Sequence, residues 1–525
     1  MNVTDLFRWQ VEQVGDIPAL VQPCPGGGRR ALTFSELHRA SARTATLLSC
    51  AGLRPGDGVL LLQPMSIELY IALLAVLRLG LVALVPDASA GLAGLNRCCA
   101  AWPPRAFIGG ARMHALRLLS PGLRSIPIPV VIGWPIPGAI RWNPAAGGAE
   151  QTSIHDCPLE APALVTFTSG STGFPKALVR SHGLLLSQLR ALQGCLEPGP
   201  GETELTTLPM FVLANLASGI TSLLPAVSLR RPGASDVAPL GAQIASEQPC
   251  RLLASPALLE RLADHSLKQG IRWTSARRIG CGGGPVLPRL IEKLHRLAPS
   301  AEIHLVYGSS EAEPIAHLRA ADLSAEDWAA ARNGRGLPAG RAVPGIRVRI
   351  LRDRWGTAIG PQGSSDFEAA SLPPGRVGEI VVSGPHVVPG YLRGIGNQET
   401  KISVEGVIWH RTGDAGYLDH RGRLWLLGPC GARIEDTRGT LYPLGAEVVA
   451  SECPGIRRSA LVGAGGKRIL AVEAGDRIGR EDLRQLPGRL AWACLDEVRL
   501  LRRLPVDARH NAKADYPAIR LLLEG

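Results

Sequence analysis

No Cys-x-x-Cys pair occurs among the eleven cysteines, and the sequence neighbours Cys98 and Cys99 cannot readily bridge, so neither a zinc site nor a disulfide framework is expected. That usage fits a reducing cytoplasm. Aromatic residues make up only 4% of the chain, and no basic run is interleaved with them. The arginines come instead in scattered pairs (Arg29-Arg30, Arg230-Arg231, Arg277-Arg278, Arg457-Arg458, Arg502-Arg503), which argues against nucleic-acid binding and reads as solvated surface. Met1 to Asp5 holds no basic segment leading into an apolar core, so no secretory signal is expected. One stretch, Tyr70 to Pro86, raises the question of a membrane span. It carries Arg78, is interrupted by Gly80 and ends in Pro86, which favours a buried helix running into a buried strand.

What is present is globular. At 525 residues the chain is too long for one core, so two or more folding units are expected. Apolar residues make up 46% and charged residues 19%, and the formal net charge of +12 suits an anionic partner without choosing one. Apolar β-rich runs alternate with helix-length amphipathic segments: Gly58–Leu62 before Ile67–Leu79, Leu164–Thr168 before Gly183–Leu192, and Ile303–Val306 before a polar turn. That alternation predicts α/β layering with largely parallel sheets. From about Gly336 the texture changes to short strands broken by Gly and Pro, a β-rich subdomain over about 336–428. After Gly428-Pro429-Cys430-Gly431 a compact α+β segment begins, predicted to run strand, helix and strand to the end.

The segment from Leu164 to Lys176 reads LVTFTSGSTGFPK. A buried strand enters a hydroxyl- and glycine-rich loop in which Thr168, Ser169, Gly170, Ser171, Thr172 and Gly173 let backbone N–H groups and hydroxyls converge on phosphate oxygens, while Lys176 adds charge. The order GxxxxGK[ST] is absent, which excludes a Walker A loop.

This loop resembles that of the adenylate-forming superfamily of acyl-CoA synthetases, luciferases and peptide-synthetase adenylation domains, and the resemblance spans nearly the whole chain. Val306 to Glu311 (VYGSSE) is similar to its adenine and magnesium motif, Gly413-Asp414 with Asp419, Gly422 and Gly428 to its ribose-binding and hinge region, and Lys513 to its mobile C-terminal lysine. The resemblance implies ATP and Mg²⁺ as cofactors and a carboxylic acid as substrate. Residues 1–428 would be an AMP-binding catalytic domain and 429–525 a mobile α+β domain. Tyr307 would stack on adenine, beside Gly308, with Ser310 nearby and Gly283 and Gly284 letting the backbone approach the base. Asp414 would bind the ribose hydroxyls, Glu311 and Thr168 would hold Mg²⁺, and Lys513 would bridge the attacking carboxylate and the α-phosphate.

Pro505 to Lys513 (PVDARHNAK), Arg438 to Pro443 (RGTLYP) and Tyr307 to Ala316 (YGSSEAEPIA) look like the corresponding strings of the olefin β-lactone synthetases, the OleC-type enzymes of long-chain olefin biosynthesis. That likeness implies adenylation of a β-hydroxy fatty acid followed by ring closure to a β-lactone, without CoA, and pathway partner enzymes. His510 would be the base that takes the hydroxyl proton, or else a structural surface histidine. An acyl-CoA or acyl-carrier-protein ligase would share the first step and differ in the second nucleophile. A non-catalytic homologue is a third reading, opposed by the presence of Lys513, Glu311, Asp414 and the phosphate loop. Pro429 stands where the superfamily usually has a hinge arginine, which removes a polar contact and stiffens the backbone.

Overall fold

In the computed structural model, which describes residues 1–24, 26–87, 91–144, 147–168, 176–227, 236–475, 480–507 and 513–524, the apolar stretch from Tyr70 folds as predicted. Ile67–Arg78 is a helix started by Ser66, whose hydroxyl accepts the Leu69 N–H at 3.3 Å. It is buried on nearly every side and runs into a buried strand at Val82–Val85. Arg78 survives burial because its guanidinium donates to the carbonyls of Gln151 at 2.9 Å and Thr152 at 3.1 Å. Among the described residues no helix is long and apolar enough to cross a membrane.

The chain packs as two compact units. The first comprises Met1–Arg230, Ala242–Leu253 and Gly390–Asn397. Its strands are β1 (Pro18–Pro23), β2 (Arg29–Thr33), β3 (Gly58–Leu62), β4 (Val82–Val85), β5 (Ala106–Gly110), β6 (Ile128–Ile132), β7 (Ile140–Trp142), β8 (Pro162–Thr168), β9 (Lys176–Ser181), β10 (Thr203–Thr206), β11 (Thr221–Leu223) and β12 (Arg251–Ala254). One sheet has the order β7-β6-β5-β3-β4-β8-β9, parallel throughout except for the antiparallel pair β8 and β9. Its strands are continuous apolar runs because helices cover both faces of such sheets, and Leu60, Leu84, Phe107, Val165 and Phe167 form one core beneath them. A second run, β12-β10-β11-β1-β2, is parallel up to the β1–β2 hairpin.

The second unit comprises Arg231–Gly241, Ala254–Pro389 and Gln398–Gly525. It contains β13 (Arg278–Gly282), β14 (Glu302–Ser309), β15 (Ala312–Arg319), β16 (Leu337–Ala342), β17 (Arg347–Leu351), β18 (Gly378–Ser383), β19 (Lys401–Val404), β20 (Val407–Leu418) and β21 (Leu424–Pro429). These join in the order β13-β14-β15-β16-β21-β20-β18-β17, with β19 on β20; β13 and β14 are parallel and the rest antiparallel. β16 therefore pairs with strands on both sides of the change in texture at Gly336. The chain continues through the hairpin of β22 (Ile434–Asp436) and β23 (Gly439–Leu441) to a sheet of β24 (Ile456–Ala464), β25 (Lys467–Ala474) and β26 (Glu497–Leu501). The sequence reading ended on a strand; the structure ends on the helix Tyr516–Glu524, which seats Ile519 and Leu523, one helical turn apart, against Ala460, Val462 and Leu504.

β18 and β20 are joined by a fully buried ion pair. Arg411 and Glu379 are both 0% exposed, 2.7 Å apart, and Arg411 also donates to the carbonyls of Thr357 at 2.7 Å and Glu399 at 3.0 Å. Removing one partner strands the other charge in the core, so Glu379→Ala is expected to cost about 3–5 kcal/mol. The paired change Glu379→Leu with Arg411→Met is expected to cost less than the single one, which comparison of urea midpoints checks.

Candidate active site

The loop Ser169, Gly170, Ser171, Thr172, Gly173, Phe174 and Pro175 lies outside the described residues, but the strands that launch it are in place. Thr168 ends β8 and stands opposite Lys176, the first residue of β9. Half-buried Lys176 carries its ammonium 5.2 Å from the ring centroid of Tyr391, a cation–π distance. Tyr391 is 6% exposed, bridges to Leu178 of β9, and donates its N–H to the Asn397 side chain at 2.8 Å. Gly396, at φ +94°, lets the backbone pass so close that a Cβ there would stand 2.7 Å from Lys176 Cε. Sequence reasoning missed Tyr391 and Gly396; the glycines at 390, 394 and 396 were the available sign of a close backbone approach.

In the second unit Gly283, Gly284, Tyr307, Gly308, Asp414 and Lys513, which the sequence scatters, line one cavity of about 890 Å³. β14 delivers Tyr307, whose hydroxyl donates to Asp414 Oδ2 on β20 at 2.9 Å. The Asp414 N–H is taken by the Thr412 hydroxyl at 3.1 Å. Gly308 has no room for a side chain: a Cβ would stand 2.9 Å from the Ala312 carbonyl oxygen. Ser310 and Glu311 form the turn between β14 and β15, pinned by the Glu311 N–H to Ser309 Oγ at 3.3 Å and by the Glu311 carbonyl, which accepts the Val388 N–H at 2.8 Å. Among the described residues no group of three or more His, Cys, Asp or Glu is placed to hold a metal. The Glu311 carboxylate on this turn suits Mg²⁺, which is commonly held by one or two carboxylates while keeping several waters. Asp419 and Gly422 stand apart from the cavity wall; Asp419 orders the β20–β21 turn by accepting from the N–H groups of Arg421 and Arg423 and from Trp425 Nε1.

Lys513 is exposed, and its backbone is held at both ends: its N–H donates to Asp507 Oδ1 at 3.0 Å and its carbonyl accepts the Asp507 N–H at 2.9 Å. His510 lies outside the described residues. Burial raises the Asp414 carboxyl above the ordinary carboxylate range, opposed by the Lys513 charge and the Tyr307 hydroxyl. Two cavity residues went unread in the sequence. Glu447, on the helix Pro443–Ser451, accepts the Tyr516 O–H at 2.9 Å and the Leu461 N–H at 3.1 Å, and burial pushes it up to about 7. A single acid within LGAEVVA was the sign that could have found it.

Comparison with known proteins gives a consistent picture. The family model "AMP-binding enzyme" matches residues 7–392. An olefin beta-lactone synthetase from Xanthomonas campestris pv. campestris is 30% identical, the alignment covering 93% of this chain and 92% of that protein. Another, from Stenotrophomonas maltophilia, is also 30% identical over 92% of this chain and 89% of its own length. Among solved structures the amide bond synthetase McbA from Marinactinospora thermotolerans shares the fold, with a TM-score of 0.81 and 24% identity over 100% of both chains.

The Tyr307 hydroxyl stabilises the ionised form of Asp414, so Tyr307→Phe is expected to move the Asp414 titration to higher pH. A carboxyl-carbon NMR titration reads this directly, and an unchanged midpoint would show that the bond is not formed in solution.

Proposed function

Since the chain belongs to the AMP-binding enzyme family and is an adenylate-forming, AMP-forming ligase, we propose that its carboxylic acid is a β-hydroxy fatty acid and its product a β-lactone. The observation that carries this reading is 30% identity, over nearly the full length of both chains, to two olefin beta-lactone synthetases. In the first step a carboxylate oxygen attacks the α-phosphorus of ATP and pyrophosphate leaves. In the second the β-hydroxyl oxygen attacks the acyl carbon, AMP leaves with the acyl C–O electrons, and the hydroxyl proton passes to a base, the role we give His510. The second nucleophile already belongs to the substrate, so its proximity replaces capture by CoA.

In this reading the Tyr307 ring faces the adenine, with Gly283, Gly284 and Gly308 leaving space for the base. Asp414 takes the ribose hydroxyls; a carboxylate has about four acceptor sites, and Tyr307 occupies one of them. The loop from Thr168 through Ser169, Gly170, Ser171, Thr172 and Gly173, with Lys176, receives the phosphates, and Ser310 supports the turn beside them. Lys513 bridges carboxylate and α-phosphate where negative charge grows. Glu311 and Thr168 would hold Mg²⁺, which when bound would neutralise phosphate charge. Residues 429–525 act as the mobile domain that carries Lys513, and dependence on ATP suits a cytoplasmic site of action.

Protein incubated with ATP, Mg²⁺ and a panel of β-hydroxy fatty acids, without CoA, is expected to yield β-lactone and AMP by mass spectrometry, while the deoxy acids stop at acyl-AMP. Lys513→Ala is expected to slow adenylate formation by about a hundredfold or more. Thioester formed only when CoA is added would replace the lactone reading with that of a ligase.

A further inference from the structure

Glu447 is the only charged residue of its helix, yet it faces the cavity that Lys513 and Asp414 also line. Both of its oxygens lie within reach of the Tyr516 hydroxyl, at 2.9 and 3.2 Å, and the Leu461 N–H completes its shell at 3.1 Å. A carboxylate in so apolar a helix is costly, and these donors offset that cost only if Tyr516 stays where it is.

Tyr516 lies three residues after Lys513, and the chain between them is closely specified. Val506 bridges to Ala514, the Asp515 N–H donates to the Pro505 carbonyl at 3.1 Å, and Asp507 and Lys513 exchange two bonds. Together these form a short antiparallel ladder in which Lys513 pairs with Asp507. Val506, Ala514 and Tyr516 pack it onto Ala460, Leu504 and Ile519. Its polar attachment to the cavity wall is the Tyr516 hydroxyl on Glu447. The Asp507 bonds fix the Lys513 backbone relative to the ladder, and Tyr516 fixes the ladder relative to the helix Pro443–Ser451, which belongs to the same segment 429–525 and carries Glu447 into the cavity wall. A lysine ammonium ends a flexible four-carbon stem, so its placement depends on where its backbone is held.

We propose that Glu447 and Tyr516 are positioning residues that act through Lys513: the carboxylate holds the tyrosine hydroxyl, and the tyrosine holds the Lys513 ladder against the cavity so that the ammonium is presented to the reacting groups. The proposal rests on the reading of Lys513 as the cation of the adenylation step.

Pyrophosphate–ATP exchange, driven by the best acid of the panel above, tests it. Tyr516→Phe removes one oxygen and leaves the packing intact; it is expected to lower exchange kcat by about ten- to a hundredfold, with the ATP KM within about twofold of wild type. Glu447→Ala is expected to match it, while Glu447→Gln, whose amide can keep the hydroxyl and the Leu461 N–H, retains near wild-type exchange. The decisive measurement is the pair with Lys513→Ala. Positioning through Lys513 requires that Tyr516→Phe add no further loss in that background, whereas a general structural defect would multiply the two losses. Wild-type exchange by Tyr516→Phe, or multiplied losses in the double variant, overturns the proposal while leaving the role of Lys513 standing. Full exchange by Lys513→Ala alone overturns that role and the proposal with it.

Discussion

The hydrogen bond from Tyr307 to Asp414 sets the geometry on which the rest of the cavity depends. It joins β14 to β20, between which the sheet order inserts three other strands, β15, β16 and β21. Flat strands lie about 4.8 Å apart, so side chains four strands away could not meet across 2.9 Å. The strands between them must bend, and β16 pairs with β21 through Leu337, Pro338 and Gly340 and with β15 through Arg341 and Ala342, with a register shift between Pro338 and Gly340 where a bulge can bend a strand. The buried Arg411–Glu379 pair and the β20–β21 turn ordered by Asp419 keep the far arm of that curve in register. Asp414 reaches the cavity because the strands around it are locked for reasons unrelated to any ligand.

Inside the cavity burial raises Asp414, Glu447, Tyr307 and Tyr516 alike; the Lys513 ammonium and the Tyr307 hydroxyl oppose it at Asp414, and the Leu461 N–H and the Tyr516 hydroxyl oppose it at Glu447. The two carboxylates each meet a tyrosine, but their settings differ. Asp414 lies within the field of Lys513 and accepts the Tyr307 hydroxyl at the cavity wall. Glu447 has two donors from its own chain and no cation among the causes of its shift, so its polar capacity is turned inward on the protein. That contrast separates a group arranged to receive a ligand from one arranged to hold structure.

The sequence carried the spaced motifs well, because each is a local arrangement: a strand feeding a loop of small residues, a Tyr-Gly pair before a turn, a Gly-Asp on a strand. Tyr307, Gly308, Asp414 and Lys513 were singled out by the resemblance of those motifs to a known superfamily, and the structure gathers them in one cavity. Tyr391 beneath Lys176 could not, since a cation–π partner so far along the chain leaves no periodic signal. The last helix was missed because only Ile519 and Leu523 of its residues are buried, too short a stripe to announce itself. Glu447 was legible in principle as a lone acid in an apolar run, but its meaning lay in Tyr516, which only the folded chain brings to it.

Pro429 in place of a hinge arginine, which the sequence set apart as a departure, reads differently once the wall is known. It stands opposite Asp414 in the β20–β21 ladder, with no N–H to give to that strand, while the Asp414 N–H turns to the Thr412 hydroxyl. The nearby Arg433 does not stand in for the absent side chain; it is spent on Asp353, Glu435 and the Cys430 carbonyl. Yet Arg261, Arg289, Arg457 and Arg458 all line the same cavity. Arg289 is committed to the carbonyls of Ser451, Ile456 and Arg457, and burial and the neighbouring Arg457 hold Arg261 and Arg458 below the usual arginine range. Proline at 429 thus removes one directed contact, and the cavity lining, in which Arg261, Arg289, Lys293, Arg457, Arg458 and Lys513 alternate with Glu260, Asp264, Glu292, Asp414, Glu447, Glu452 and Asp507, supplies no net positive charge in its place.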